Sequence, residues 1–473
     1  MFILHQPLVS VKEGNIMQIL TVNDIIKATR GELASKTKNT AGIEIDDITI
    51  DSRQVREGAL FVPLAGEKAD GHDYINSALK HGASASLTCK DVKLISDGTV
   101  IRVADTRKAL GDIARYYKEK YPIKSVAITG SVGKTTTKDM VYAVLKKGFN
   151  THKTPNNFNN DIGVPLTIFG IEAEHEMAVI EMGMNHFGEI DYLAGIADPD
   201  IAIITNIGMS HVENLGSQEG IFKAKLEITN RFTEKNTLYV NGDDKFLKTL
   251  KSSGYKVVKF GIDADNDVYA KNIESKGLNG VEFTVVHGGG SFRASITQLG
   301  IHNVYNALAA VCAGLHFGLD GEACAAGLKD CVYTSQRLEI INCKGIEIIN
   351  DCYNSSPDSI RAALKVQRLS DKPRRVAVLG DVLEMGEYAS KAHYELGADV
   401  VSAGVDMLVT AGENAARLAE GARAAGMENV YAFATTDEAV TALPELIRDG
   451  DSVLVKASHG MKFIKITEAI KNF

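Results

Sequence analysis

The stretch that most constrains this chain is Ser125–Gly130, an apolar run that ends in a glycine and opens into Gly130-Ser131-Val132-Gly133-Lys134-Thr135-Thr136. A buried strand, a glycine turn and a helical pattern, in that order, are what a phosphate-binding loop requires. Glycines let successive backbone N–H groups converge on phosphate oxygens, and the start of the helix adds partial positive charge. Lys134 is then placed for the β- and γ-phosphates and the Thr135 hydroxyl for Mg²⁺. The spacing is G-x-x-G-K-T, two residues shorter than the common form, whose first glycine position is Ile128 here. The bland alternative is a glycine turn beside an incidental lysine, and the strand–loop–helix context weighs against it. Such a loop specifies a nucleotide and leaves the reaction open.

The surroundings of the loop repeat its logic. MAVIEMG and IAIITNIG are continuous apolar runs that end in polar residues, with helical stretches between them. That pattern suits parallel strands buried on both faces, in a doubly wound sheet. Residues 264–300 read as antiparallel, and an Ala-rich helix is expected from about 303 to 316. Past 333 the alternation restarts with GIEIIND, RRVAVLGD, DMLVTAG, NVYAFA and DSVLVKA, a second Rossmann-like unit. The fold class is therefore α/β in three domains: a small α/β domain over 17–105, a central P-loop sheet domain over 106–333, and a Rossmann-like domain over 334–473. Ligands of such sheets gather at the carboxyl ends of the strands, which predicts an active site facing the cleft between the two larger domains.

Composition narrows the function. With 52 Lys+Arg against 60 Asp+Glu, the formal charge is -8, which argues against a broad basic face for nucleic acid or anionic lipid. No apolar run reaches the 18 residues of a membrane span. None of the six cysteines forms a C-x-x-C pair, so reduced thiols in a cytoplasmic protein are expected. The opening segment lacks the basic start and apolar core of a secretory signal. The first helical pattern opens at Met17, and residues 1–16 are read as an extension.

Three further residues fall at strand ends or on a nearby helix. Glu181 follows Met177–Ile180, where a Mg²⁺-linked carboxylate is expected, His211 follows Ile201–Ile204 in TNIGMSH, and Lys225 lies in IFKAKLEI. Singly, a histidine is usually structural and a helix lysine usually solvated. Gathered at one sheet edge with a phosphate loop, they acquire functional weight.

At this point the chain resembles the Mur ligase family of ATP-dependent amide-forming enzymes. The likeness rests on GSVGKTT, EMGMNHFGEI, ITNIGMSHVENLG, KAKLEI, GIHNVYNA and Gln336-Arg337-Leu338, in order over roughly residues 45–460. TPNNFNNDIGVPLT, INDCYNSSPDS, LGDVLEMGEYA and VLVKASHG resemble the members that add a D-alanyl-D-alanine dipeptide. The D-N-P-R stretch of the diamino-acid-adding relatives is absent. Lys456-Ala457-Ser458-His459 stands where that subfamily often has K-G-S-R, which puts a dipeptide-contacting residue in doubt.

The resemblance implies roles residue by residue. Gly130, Ser131, Val132, Gly133, Lys134, Thr135 and Thr136 would cradle ATP. Thr135 and Glu181 would serve one Mg²⁺, and His211 with a carbamylated Lys225 a second. Asn303 and Asn306 match a stretch on the adenine side, Arg337 an arginine that reaches the phosphates, and Asp351 a residue that orients the ribose. Ser52 and Arg53 match a UDP-binding face, and Asn156 and Asn157 a stretch facing the muramoyl-peptide. The implied partners are UDP-N-acetylmuramoyl-tripeptide and D-alanyl-D-alanine, for a cytoplasmic monomer in peptidoglycan synthesis.

The chemistry explains why such parts would be needed. A carboxylate condenses with an amine only after activation, and the γ-phosphoryl of ATP supplies it as an acyl phosphate. Bringing two anions together requires cations, here Lys134, Arg337 and Mg²⁺; with His211 and Lys225 they form the expected catalytic set. Rival readings are a kinase, a nucleotide switch, a folate-type glutamate adder, and a Mur-type ligase adding a single amino acid. The match to a UDP-binding face disfavours the switch and the folate type.

Overall fold

The computed structural model describes residues 17–35, 40–67, 69–95 and 97–473; the reading of residues 1–16 as an extension lies outside them. By compactness the chain forms two units. The first holds residues up to 127, 149–182 and 191–199; the second holds 128–148, 183–190 and 200–473.

The first unit carries a five-stranded sheet in the order Glu32–Ser35, Val100–Arg102, Ala85–Thr88, Ala59–Phe61, Asp47–Thr49. Its first pair is antiparallel and the rest are parallel. Phe61, Ile75, Ala78, Ala83 and Val100 close a small core against the helix Ile75–Lys80. The first helix runs Val22–Thr29 rather than from Met17, because Thr21 and Asp24 form a capping box that fixes its start. A two-residue strand, Leu20–Thr21, precedes it. The strand Met177–Glu181, fully buried, pairs in parallel with Thr151–Lys153.

The strand Lys124–Thr129 is common to both units, since the division falls within it. In the second unit its end lies against the strand Ile201–Ile204, with the Thr205 N–H donating to the Thr129 carbonyl. Ile201–Ile204 continues in parallel to Thr237–Asn241, Lys256–Gly261 and the start of Val268–Ser275. Val268–Ser275, Val281–His287 and Gly290–Ile296 then form the expected antiparallel meander. The Ala-rich helix runs His302–His316.

The last sheet has the order Glu339–Cys343, Ile346–Asn350, Asp451–Lys456, Arg374–Gly380, Met407–Ala411, Val430–Phe433, parallel except for its first hairpin. Both faces are buried, and the two-residue period shows how. Ile349, Ala377, Leu379, Leu408 and Leu454 enter one core, while Ile348, Val376, Val378, Val409, Val453 and Val455 enter the other. Continuous apolar strands follow directly from that double burial. Among the described residues, no helix is long and apolar enough to cross a membrane.

Candidate functional site

The glycine turn is shaped by close approaches. Gly130 has φ 152° and Gly133 has φ 86°, backbone positions that favour glycine. A Cβ on Gly130 would lie 1.8 Å from Thr205 Oγ1, and one on Gly133 2.8 Å from Asn306 Oδ1. The helix Lys134–Leu145 starts at Gly133 with no side chain capping it, so its first N–H groups face the loop. The turn is held from behind by the end of the neighbouring strand. Asn206 Oδ1 accepts from the Val132 N–H at 2.9 Å, Asn206 Nδ2 donates to the Val132 carbonyl at 2.9 Å, and Thr205 Oγ1 donates to the same carbonyl at 2.6 Å. The Gly208 N–H donates to Ser131 Oγ at 2.8 Å.

Cations gather over this loop. Lys134 Nζ donates to the Gly130 carbonyl at 2.8 Å, holding the ammonium over the turn. Arg337 Nη2 donates to Thr135 Oγ1 at 3.2 Å, and the guanidinium lies 4.1 Å from the Tyr353 ring centre. The Arg337 Nε is buried and lacks a hydrogen-bond partner. Lys225, in the helix Gln218–Leu226, is only 2% exposed. Burial first, and then the Lys134 charge, push its ammonium well below the ordinary lysine range. The structure thus brings Lys134, Thr135, Lys225 and Arg337 into one electrostatic neighbourhood.

His211 has φ 63° and opens the short helix Val212–Leu215. Its Nδ1 lies 2.6 Å from Glu384 Oε2, a close ion-pair contact without the alignment of a hydrogen bond. The histidine, chiefly through that contact and against the effect of burial, holds the Glu384 carboxyl below its ordinary range. Asp351 accepts from the Leu338 N–H at 3.1 Å and from Lys456 Nζ at 2.6 Å. Lys456 also donates to the Asn354 carbonyl at 3.0 Å, and burial moves its ammonium downward in spite of Asp351. His459 Nδ1 lies 3.2 Å from the Tyr353 carbonyl oxygen. Asn303 and Asn306 are buried behind the loop. Asn306 Nδ2 donates to Asn303 Oδ1 at 2.7 Å, and Asn306 Oδ1 accepts from Thr137 Oγ1 at 3.1 Å.

The first unit holds the remaining sequence-derived residues. Glu181 ends its strand buried, with Oε1 accepting from Asn159 Nδ2 at 2.7 Å and Oε2 buried without a hydrogen-bond partner. Asn156, at φ 45°, and Asn157 are exposed on the loop before Asn159. Ser52 is half-buried just past the strand Asp47–Thr49. The exposed Arg53 is oriented by Asp51 through contacts at 2.8 and 2.7 Å. Sequence reasoning missed Asn159, Asn206, Thr205, Glu384 and Lys456 as supporting residues. Only the polar ending TNIG of its apolar run signalled two of them.

Comparison with known proteins places this geometry. The family model described as "Mur ligase family, catalytic domain" matches residues 44–118, "Mur ligase middle domain" residues 128–314, and "Mur ligase, glutamate ligase domain" residues 336–459. A relative from Bacillus subtilis (strain 168), named UDP-N-acetylmuramoyl-tripeptide–D-alanyl-D-alanine ligase, is 39% identical over 452 residues, covering 95% of this chain and 97% of its own. One of the same name from Escherichia coli (strain K12) is 33% identical, covering 96% and 98%. The crystal structure of MurF from Acinetobacter baumannii superposes with a TM-score of 0.88 at 31% identity, covering 97% of this chain and all of that one. MurF ligase from Thermotoga maritima in complex with ADP has a TM-score of 0.80 at 26% identity, covering 90% and 97%.

Proposed function

The chain belongs to the Mur ligase family, and from that premise we propose that it joins D-alanyl-D-alanine to the terminal carboxylate of UDP-N-acetylmuramoyl-tripeptide at the expense of ATP. The observation that carries this reading is the set of cations on one phosphate loop, Lys134 and Arg337 with Thr135, in a chain alike over its whole length to ligases of that name. The domain bounds that go with it are 17–105, 106–333 and 334–473. A single-amino-acid ligase of the same family is the other outcome an assay would report.

The residues divide the work by chemistry. The loop N–H groups and the start of the helix Lys134–Leu145 take the β- and γ-phosphates. Lys134 and Arg337 face the charge that develops as the γ-phosphoryl passes to the peptide carboxylate. The resulting acyl phosphate is attacked by the dipeptide amine, and phosphate leaves. Asp351, fixed by Lys456, holds Leu338 next to Arg337 and so positions the guanidinium. Asn303 and Asn306 act from behind, by setting the helix that presents Thr135.

Mg²⁺ is consistent with the donors present. Glu181 Oε2, in the first unit, is a buried acceptor without a hydrogen bond, which a hard cation would satisfy. Within the second unit by itself, the Thr135 hydroxyl and His211 are donors that a hard ion accepts. Since no cluster of three or more His, Cys, Asp or Glu suited to a metal is gathered among the described residues, phosphate oxygens and water would fill most of a shell there. When bound, Mg²⁺ neutralises phosphate charge. Lys225, buried beside Lys134, favours its neutral amine, the form that reacts with CO₂ to give an anionic carbamate suited to a hard ion. Ser52, Arg53, Asn156 and Asn157 are assigned to the UDP-muramoyl-peptide. We assign the protein to the cytoplasm, a reading that its free cysteines and its use of ATP support, and expect a monomer.

The test is ATP hydrolysis measured with UDP-muramoyl-peptides of each length, with and without D-alanyl-D-alanine. Phosphate release that requires both the tripeptide and the dipeptide is expected. Release supported instead by a single amino acid, or a stable phosphorylated product, would overturn the assignment.

A further inference from the structure

The first unit contains a cluster that the ligation chemistry leaves unused. Asp70, His72 and Cys89 are spread over 20 positions of sequence and meet in one line. His72 is 7% exposed, with Nδ1 2.6 Å from Asp70 Oδ1 and Nε2 3.3 Å from Cys89 Sγ. The Cys89 backbone N–H also donates to Nε2 at 3.3 Å. Nε2 is therefore the acceptor nitrogen, and the ring proton sits on Nδ1, facing the carboxylate. A carboxylate behind a histidine whose acceptor nitrogen, shared with a backbone N–H, faces a thiol is an arrangement that can withdraw a proton from sulfur.

The charges around it act in the same sense. Lys90 pairs with Asp70 Oδ2 and lies close enough to Cys89 and Asp73 to interact with both electrostatically. Lys90 first, and then the backbone and ring N–H groups of His72, hold the Asp70 carboxyl below its ordinary range, so it remains an anion at neutral pH. The charged side chains around the thiol and histidine are thus Asp70 and Lys90, with Asp73 acting on Lys90. Cys89 is half-buried.

Topology gives the cluster its place. Asp47–Thr49, Ala59–Phe61 and Ala85–Thr88 are parallel neighbours, so their carboxyl ends share one edge. Ser52 and Arg53 follow the first strand, Asp70 and His72 the second, and Cys89 the third. We propose that Asp70, His72 and Cys89 form a nucleophilic thiol site, open to modification by hydroperoxides, on the strand edge that takes the uridine nucleotide. The nucleotide half of this proposal rests on the function proposed above. In the reaction, His72 Nε2 takes the thiol proton and the thiolate attacks one peroxide oxygen. The S–O bond forms as the O–O bond breaks. Sulfur is oxidised by two electrons, and the departing oxygen takes the imidazolium proton and leaves as water or alcohol. The product is a sulfenic acid at the edge where Ser52 and Arg53 stand, and its bulk and polarity obstruct nucleotide binding there.

The experiment uses the full chain. The rate of Cys89 carbamidomethylation by iodoacetamide is followed by peptide mass spectrometry from pH 5 to pH 10, with the half-buried Cys343 as internal reference. Cys89 should be labelled about tenfold faster than Cys343 at neutral pH. His72→Gln should slow Cys89 labelling at neutral pH, and Asp70→Asn, which keeps an oxygen to accept from the His72 N–H, should slow it by less. Wild-type Cys89 labelled no faster than Cys343, at a rate unmoved by Asp70→Asn, overturns the site whether or not the histidine variant folds. In parallel, H₂O₂ followed by dimedone should tag Cys89, and UDP affinity should fall at least tenfold in oxidised wild type but not in oxidised Cys89→Ser. UDP binding unchanged by a stoichiometric Cys89 adduct overturns its link to the nucleotide edge. A reduced wild type that fails to bind UDP overturns the assigned nucleotide site, while the labelling rates still decide the thiol.

Discussion

Lys134 shows how one side chain serves a loop twice. Its ammonium ties down the Gly130 carbonyl and at the same time places a full positive charge at the mouth of the glycine turn. Lys134→Ala removes that charge from a site where it faces polyanionic phosphates, so turnover should fall by roughly 10²-fold or more, with thermal unfolding little changed. Near-normal ATP-dependent ligation in that variant would remove the phosphate-loop assignment. Lys225 presents the opposite problem, a lysine buried with a like charge as its neighbour. If it works as a carbamate, Lys225→Ala should lose ligation and recover part of it with acetate, which replaces the two oxygens. High-resolution density should then show three extra heavy atoms on the wild-type Nζ. A bare ammonium in active, Mg²⁺-loaded crystals would sink this reading.

Elements follow from pattern where local chemistry decides and escape it where distant partners do. The loop strand and five strands of the last sheet were legible because double burial demands continuous apolar runs, and the antiparallel meander was legible by its alternation. The sixth strand, Glu339–Cys343, is only half-buried and was missed. The start of the first helix was misplaced because its capping box, Thr21 with Asp24, outweighs the apolar pattern that opens at Met17. Glu384 was invisible in the same way: nothing near LEMGEY says that this carboxylate meets His211, 173 residues earlier in the chain. Asn303 and Asn306 stood out in the sequence as an expected adenine-side pair, but their mutual hydrogen bond depends on helix packing. Asp24 also links the first helix to Thr106–Lys120. Burial raises its pKa, yet hydrogen bonds from Tyr116, Lys120 and Thr21 outweigh that and bring it down to about 2 from the ordinary 3.8. A lowered carboxylate pKa gives stability that is present above 3.8 and lost as pH falls towards 2. Asp24→Asn should therefore lower the thermal midpoint at pH 7, with the gap to wild type narrowing between pH 4 and pH 2. A gap that stays constant over this range would show that its charge contributes nothing.

On the scale of the whole molecule, a reactive acyl phosphate needs shielding from water, and movement of the last sheet domain is the expected means. The segment joining it to the phosphate loop's domain is built as a pivot within the second unit. At one end, the Thr334 N–H and Oγ1 both donate to Asp139 Oδ2 at 2.8 Å, which fixes the chain to the loop helix. At the other, the Leu338 N–H donates to Asp351, itself paired with Lys456. Between these anchors Gln336 has φ 62° and Leu338 φ 51°, left-handed conformations that non-glycine residues adopt at a cost of roughly 1–2 kcal/mol. Rotation there would carry Arg337 towards or away from Thr135. Small-angle scattering should accordingly show compaction when an ATP analogue and the UDP-substrate are both present. Gln336→Pro locks φ near −65° and deletes the N–H that Glu339 accepts, so it should abolish the compaction and ligation together while nucleotide binding persists. An unchanged scattering profile in a wild type that still turns over would mean that the acyl phosphate is shielded without closure of the last domain.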